Sequence, residues 1–542
     1  MFKSVFICAI FAAFVGKSFC DILGNTQSSG AKGFLTCQGK PAQDVKVKLY
    51  DDDRGIDADD LMGETKTNDK GYFEVSGYTS EYTTIDPKIN IYHNCADGLK
   101  PCDRKFTIKI KDNYVSGGKK PSKLYDVGRI ELEGGFSAIQ FNIPHYLFVK
   151  MSSSALSGIR ILDFSRVVAA PFASMILSDL GAEVWKIERP GNGDDSRLFT
   201  PPEINGQSCY TLGLNRNKKS IAMNLAHPEA KKLARKLATK VDIVIENFKT
   251  GYMKKFGLDY SQLQQINPGL IYCSITGFGP DGPYADVPGY DVIAAAVGGL
   301  LGITGPKGAN GEPVKAGVAV TDLATGLFAH GAILAALLHR NKTGRGQHIN
   351  CDLFSTQLAM LTNIASNFLN AGIEGRPLGT EHESIVPYQA FRTKDNRFYV
   401  IGAGNDQAFK KLCFKMGLPE LCDTPDYKTN ASRVRNRDKL IEILSNNFIE
   451  HDLDHWKKLL RNTSFPAGPV NTIREAFQHE QAEHLNIVKQ VTHQQYGTVK
   501  VVGPPVRYSM SENRIRSAPP LLGEHTKEIL CKELGLDDGN VE

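Results

Sequence analysis

Read only as apolar and polar positions, the chain has two rhythms. From Gly33 to about Gly135 apolar residues recur at every second position over short stretches. In VKVKLYD, Val45, Val47 and Leu49 fall on one face of a predicted half-buried strand. NDKGYFEVSG reads as a turn and a strand, and KINIYHNC and KFTIKIK repeat the period of two. Short strands with Asp, Asn and Gly turns between them predict a β-sandwich. After Met151 the rhythm changes. MSSSALSG is linker-like, GIRILDF, AEVWKIE, VDIVIENF and LIYCSITGFG read as strands, and PFASMILSDLG and HPEAKKLARKLATK read as helices. That alternation predicts an α/β domain on a largely parallel sheet. No internal repeat is evident.

The first twenty residues, MFKSVFICAIFAAFVGKSFC, have the form of a secretory signal: Lys3, an apolar run from Val5 to Gly16, then Ser18 and Cys20. The run is too short to span a bilayer, and later apolar runs are interrupted by charge or glycine, so no membrane span is expected. With 542 residues, 41% hydrophobic and 23% charged, the chain can bury more than one core. A net charge of +5 without a block of like charge excludes a broad nucleic-acid surface. Cysteine usage is uneven. Cys95 and Cys102 are expected to staple a loop, leaving Cys37 unpaired; Cys209, Cys273, Cys351, Cys413, Cys422 and Cys531 are scattered, with no CxxC pair, as in reduced proteins.

Several motifs fail on inspection. DDDRGIDADD places Ile56 and Met62 where a calcium loop needs glycine and glutamate, so it reads as a solvated acidic loop. GFGPDG satisfies G-x-G-x-x-G, but Pro280 and Pro283 interrupt it and no helical pattern begins until after Tyr290, which suits a substrate-lining turn. The histidines of HEQAEH, His479 and His484, are five apart and diverge on a helix, so no metal site is expected. No G-x-S-x-G elbow supports an esterase.

KAGVAVTDLATGLFAHGAILAALLHRNKTGRGQ predicts a strongly apolar helix from Leu323 to His339, with Asp322 at its start. An aspartate there is an ordinary helix cap. A positive helix end would also hold its carboxylate ionised, as an anionic nucleophile requires.

Two resemblances extend this reading. GKPAQDVKVKLYDDD, DDLMGETKTNDKGYFEVSGYTSE, IDPKINIYHNC and PCDRKFTIKI resemble the nematode transthyretin-like family. This implies a small extracellular binding sandwich over residues 21–135. The family ends in a strand with a last cysteine, whereas GRIELEGG here runs into FSAIQFNIPHYLFVK, so the closing strand and the partner of Cys37 are expected to be missing, with an edge left open.

DFSRVVAAPFASMILSDLGAEVWKIERPGNGDDSR, VIENFKTGYMKKFGLDY, GFGPDGPYADVPGYD and the Asp322 segment resemble, in that order, the family III CoA-transferases. PYQAFRTKDNRFYVIGAGNDQAF, FPAGPVNT, GPPVRYS and APPLLGEHT extend the likeness over nearly all of Ser157 to Gly535, nearest to the succinate–hydroxymethylglutarate subfamily, which acts on glutarate. The resemblance implies a transferase over residues 157–542, with a large Rossmann-like domain, a smaller domain at about 380–480, and an interlocked homodimer. It implies no resident cofactor, with an acyl-CoA thioester and small dicarboxylic acids as substrates. Asp322 falls on the catalytic position. Val167 and Ala169 fall where backbone meets the nucleotide, and Arg189, Asn247, Lys255 and Tyr290 on CoA-contacting positions. Val168 departs from a glutamine and Lys255 from an arginine in other members. GAGNDQ is expected to offer N–H donors to an oxyanion. A racemase of the same fold would need Gly-His-Asp where this chain has Gly289-Tyr290-Asp291, and neutral tyrosine is a poor base.

The halves imply different compartments, secretory for the first and mitochondrial for the second. Two joined coding units with a seam in residues 136–156 would explain this, as would a secreted binding protein carrying an inactive transferase. Sequons at Asn341, Asn430 and Asn462 all fall in the enzyme half, at chance frequency.

Overall fold

The computed structural model describes residues 25–51, 60–81, 84–93, 95, 104–132, 154–308 and 312–537. The signal segment, most of the acidic loop, Cys102 and the seam from Phe136 to Lys150 lie outside the described residues. The chain divides into two units, Met1–Val149 and Lys150–Glu542.

In the first unit the two-residue alternation becomes two sheets. In chain order the strands are β1 (Asn25–Cys37), β2 (Lys46–Asp51), β3 (Leu61–Lys66), β4 (Tyr72–Glu81), β5 (Pro87–His93), β6 (Arg104–Lys109) and β7 (Tyr125–Glu131). One sheet centres on β1, antiparallel to β4 and parallel to β7. The other has the order β3-β2-β5-β6. Val45, Val47 and Leu49 enter a shared core with Phe73, Val75, Ile89 and Ile91, because every second side chain of a strand faces the opposite sheet. The cysteine expectation is corrected. Cys37 is bonded to Cys95 across 58 residues of sequence. Sequence proximity favoured a Cys95–Cys102 staple, but the sandwich brings the end of β1 to the residues just after β5. The strand β7 lies alongside β1, the Leu132 N–H donates to the Thr36 carbonyl at 2.7 Å, and β1 is the one strand paired with β7 among the described residues.

The second unit is built on β8 (Arg160–Asp163), β9 (Glu183–Glu188), β10 (Lys218–Ala222), β11 (Ile243–Glu246), β12 (Ile271–Thr276) and β13 (His348–Asp352). Their spatial order is β10-β9-β8-β11-β12-β13, and every neighbouring pair is parallel. The winding reverses between β8 and β11. Sheets of this kind take ligands at the carboxyl ends of the strands beside such a reversal.

Alternate residues supply both faces of the sheet. Ile161, Val184, Ile243, Ile245 and Cys273 face one core, and Leu162, Trp185, Val244 and Tyr272 face the other. The first face is covered by α1 (Ala169–Asp179), the second by α2 (Pro228–Ala238). A short helix, α3 (Asp291–Val297), precedes the long α4 (Val320–Thr343), whose Ala329, Ile333 and Ala336 pack into the first core. Among the described residues α4 alone is long and apolar enough to cross a bilayer. One stripe of it is spent on the core, while Leu327, Phe328 and Leu338 face outward.

A separate core gathers Phe391, Phe448 and Trp456, with the Phe391 and Phe448 rings stacked at 4.7 Å. It carries the antiparallel strands β14 (Tyr388–Arg392), β15 (Phe398–Gly402) and β16 (Ala467–Pro469). The chain then returns to the large core, where a last helix, α5 (Thr526–Leu534), buries Ile529 and Leu530 beside α2.

Candidate active site

The turn from β8 into α1 lies at the winding reversal. Its Arg166 is gripped by Asn247, just past β11: the side-chain oxygen accepts the Arg166 N–H at 2.8 Å, and the side-chain nitrogen donates to the Arg166 carbonyl at 2.8 Å. The next residue, Val167, has φ +66° and donates its N–H to Asp194 Oδ1 at 3.0 Å. Asp194 lies 2.9 Å from Lys186 Nζ, both side chains fully buried. Burial alone would raise the Asp194 carboxyl, yet the Lys186 ammonium and the N–H groups of Ser196 and Val167 hold it down at about 2. Helix α1 follows at once. Its first N–H groups have no partner within the helix, so Ala169 and Ala170 present theirs at the carboxyl end of β8.

Basic side chains flank this turn. Arg189, one residue beyond β9, is exposed and meets no carboxylate among the described residues. Lys255 is exposed and rests 3.5 Å above the Tyr252 ring. Tyr252 stacks on Phe248, and the Arg166 guanidinium lies over Phe248 at 5.0 Å. Cations held over aromatic faces remain available to an anionic ligand.

Asp322 departs from its expected setting. Helix α4 begins at Val320, so Asp322 lies within the first turn, and Ala319 at the capping position provides no side-chain acceptor. The cap comes from α3, where Asp291 Oδ1 accepts the N–H groups of Thr321 at 2.8 Å and Asp322 at 3.2 Å. Thr321 is itself held by Gln357 at 2.7 Å. The carboxyl of Asp322 is half-buried, and burial followed by the Asp291 carboxyl raises it from 3.8 to about 7. The expectation of a carboxylate held ionised by the helix end is therefore corrected. A helix terminus contributes about 0.3–1 kcal/mol, less than one pKa unit at about 1.4 kcal/mol, and desolvation beside a second carboxyl outweighs it.

Two close backbone approaches assemble the site. One turn along α4 from Asp322, a Cβ on Gly326 would lie 2.6 Å from the Ala169 carbonyl oxygen and 3.1 Å from Phe172 Cδ1. Helix α4 thus rests directly on the start of α1. Likewise a Cβ on Gly277 would lie 2.6 Å from Gly289 Cα. This contact closes GFGPDGPYADVPG into a loop and sets Tyr290 and Asp291 at the end of β12. Of the GFGPDG glycines, Gly277 makes that closure. Tyr290 occupies the capping position of α3 with its ring 67% exposed.

Sequence reasoning missed Asp194, Lys186 and the capping role of Asp291, because each acts through contacts across the fold. It also missed Tyr210, whose hydroxyl is raised by burial and then by Asp322, Asp291 and Asp194. That puts the phenol within electrostatic range of all three carboxyls. GAGNDQ belongs to the smaller core. Its Gly404 carbonyl accepts from Arg433 at 2.7 Å, and a Cβ there would fall 1.8 Å from Ile385 Cγ2. No described hydrogen bond or ion pair links it to Asp322, and replacing Gly404 with valine would test packing rather than an oxyanion donor. His479 and His484 are exposed, and the described residues contain no cluster suited to a metal.

Comparison with known proteins identifies the family of each unit. Residues 156–526 match the family described as CoA-transferase family III, and residues 32–111 match the transthyretin-like family. A succinyl-CoA:glutarate CoA-transferase of Mus musculus is 48% identical over 391 residues, 72% of this chain and 89% of its own length. A succinate–glutarate CoA-transferase of Agrobacterium fabrum is 39% identical over 386 residues, 70% of this chain and 95% of its own. The crystal structure of a CAIB/BAIF family protein from Brucella suis superposes with a TM-score of 0.64 at 37% identity, covering 70% of this chain and 100% of its own.

Proposed function

The chain belongs to CoA-transferase family III over residues 156–526, and from that premise we propose that it carries CoA from succinyl-CoA to glutarate or a related dicarboxylic acid, with Asp322 as nucleophile. The observation behind this reading is the seating of Asp322 one helical turn from the contact between Gly326 and Ala169. A CoA thioester held at the start of α1 would then present its carbonyl to that carboxylate. Asp322 attacks the thioester carbon, forming a mixed anhydride as CoA thiolate leaves. The thiolate attacks the aspartyl carbonyl, giving an aspartyl-CoA thioester and free succinate. The acceptor acid repeats the sequence in reverse. Each covalent step divides a difficult exchange between weak nucleophiles. Arg189 and Lys255 would take CoA phosphates, Asn247 holds the turn, and the backbone at Val167 and Ala169 faces the nucleotide beside Tyr290.

The large domain is read as Rossmann-like, and the working form as an interlocked homodimer. Supporting the dimer are large apolar side chains left exposed, Leu327, Phe328 and Leu338 on α4 and Phe368 and Leu369 beyond it, since apolar surface of this kind is suited to a partner. The compartment of the active enzyme is read as reducing, because its six cysteines are all free; the bonded Cys37–Cys95 pair suits an oxidising route for the first unit. Peptides spanning Gly135 and Met151 in a digest of intact protein would show that both halves leave the ribosome as one chain.

The decisive assay incubates the purified full chain with succinyl-CoA and glutarate and follows glutaryl-CoA. Formation of glutaryl-CoA, abolished by Asp322→Asn, supports the reading; CoA exchange at full rate in that variant would end it.

A further inference from the structure

A β-branched residue is ill suited to left-handed backbone and persists there only where its surroundings enforce it. Val167 stands there at φ +66°, between a gripped Arg166 and the first turn of α1. Asn247 takes both backbone groups of Arg166. The Val167 N–H is taken by Asp194. The backbone N–H groups left for a ligand therefore begin at Val168.

Asp194 is unusual among the groups around this turn. It is fully buried, and Lys186 opposite it also donates to the Ser165 carbonyl at 2.6 Å. The pair thus holds the turn at two backbone points, Ser165 and Val167, while lying behind it. The same carboxylate accepts the Ser196 N–H at 2.9 Å, and its neighbour Asp195 pairs with Arg166 at 2.8 Å. A core would have been served as well by apolar side chains, since buried ion pairs add little net stability over well-packed hydrophobes.

We propose that Asp194, braced by Lys186, is a positioning residue for acyl-CoA: it locks Val167 in left-handed backbone and so aims the start of α1 at the ligand. This rests on the assignment of that turn to CoA under the proposed function. Neither Asp194 nor Lys186 needs to touch the substrate. The hold is required because residue 167 is valine.

The test compares KM for succinyl-CoA, kcat, and CoA affinity by calorimetry in the full chain. A hydrogen bond to a charged group contributes about 1.5–3 kcal/mol, so Asp194→Asn is expected to raise KM and the CoA dissociation constant at least about tenfold, with kcat changed much less. In a Val167→Gly background, where left-handed backbone is unstrained, the same substitution should cost only about twofold. Asp179→Asn removes a buried carboxylate from Arg216 at the far end of α1, and should lower thermal stability without moving KM. Where Asp194→Asn does not fold, Asp194→Glu keeps the charge but shifts its oxygens by one methylene, and should raise KM likewise. An unchanged KM in both Asp194 variants, or an equal KM change in Asp179→Asn, overturns the inference. A wild-type chain that neither binds CoA nor transfers it overturns the proposed function instead.

Discussion

The amino-terminal sandwich and the transferase keep their shapes by different means. The sandwich has a small core tied by the Cys37–Cys95 disulfide, whereas the transferase carries six free thiols and buries whole ion pairs such as Lys186–Asp194 and Lys218–Asp163. Size accounts for the first difference, because a domain of about a hundred residues buries a smaller fraction of its surface than one of three hundred or more. Function accounts for the second. A sandwich needs only two apolar faces to close, but the transferase must hold a strained turn and a raised carboxyl at fixed positions, and directional bonds do that where greasy packing would not.

The sharpest way to break this contrast is at Asp322. Asp322→Asn should lower CoA transfer by at least about a thousandfold, as loss of a covalent nucleophile does, while leaving the sandwich intact; the glutaryl-CoA assay measures it. The pH behaviour follows from the raised carboxyl. With the folded value at about 7, above the ordinary 3.8, the folded state binds more protons between those limits, so the wild-type chain loses stability as pH rises from about 4 to 7. The variant lacks that loss. Its melting temperature should match wild type near pH 4 and exceed it above pH 7, and wild-type kcat/KM should fall about tenfold per unit below pH 7.

Next in size is Gly326→Ala. The added methyl meets the Ala169 carbonyl oxygen at 2.6 Å, so α4 must move off α1. Transfer should fall by about a hundredfold, since a shift of about 1 Å at reacting groups costs that much, although alanine is the better helix former.

On the sandwich side, Cys37→Ser releases a 58-residue loop and should lower that unit's stability by about 4 kcal/mol. Denaturant melts with two transitions would show only the first moving, with transferase activity unchanged. A loss of activity would mean the two units are not independent. Smallest of all, Lys255→Gln should raise KM for succinyl-CoA by about threefold and Arg189→Gln by more, since an exposed cation contributes about 1 kcal/mol or less; Lys255 rests over the Tyr252 ring, whereas Arg189 meets no carboxylate among the described residues.

Much of the architecture was legible along the chain. Val45, Val47 and Leu49 announced a strand by their spacing, and the strand and helix runs after Met151 announced a parallel sheet, because burial on one or two faces writes its period into local sequence. The motifs carrying Asp322, Arg189 and Asn247 were likewise local. What could not be read was any relation across the fold. Spacing made a Cys95–Cys102 staple plausible, and only the arrangement of two sheets joined Cys95 to Cys37. Asp322 looked like a cap that a helix end would keep ionised, and only burial, together with the Asp291 carboxyl arriving from another helix, raised it instead. Sequence thus determined which segments are strands and helices and which residues are candidates for acyl transfer; tertiary structure decided which of them meet and which way their acidity shifts, because packing distance and desolvation arise between segments that the chain keeps far apart.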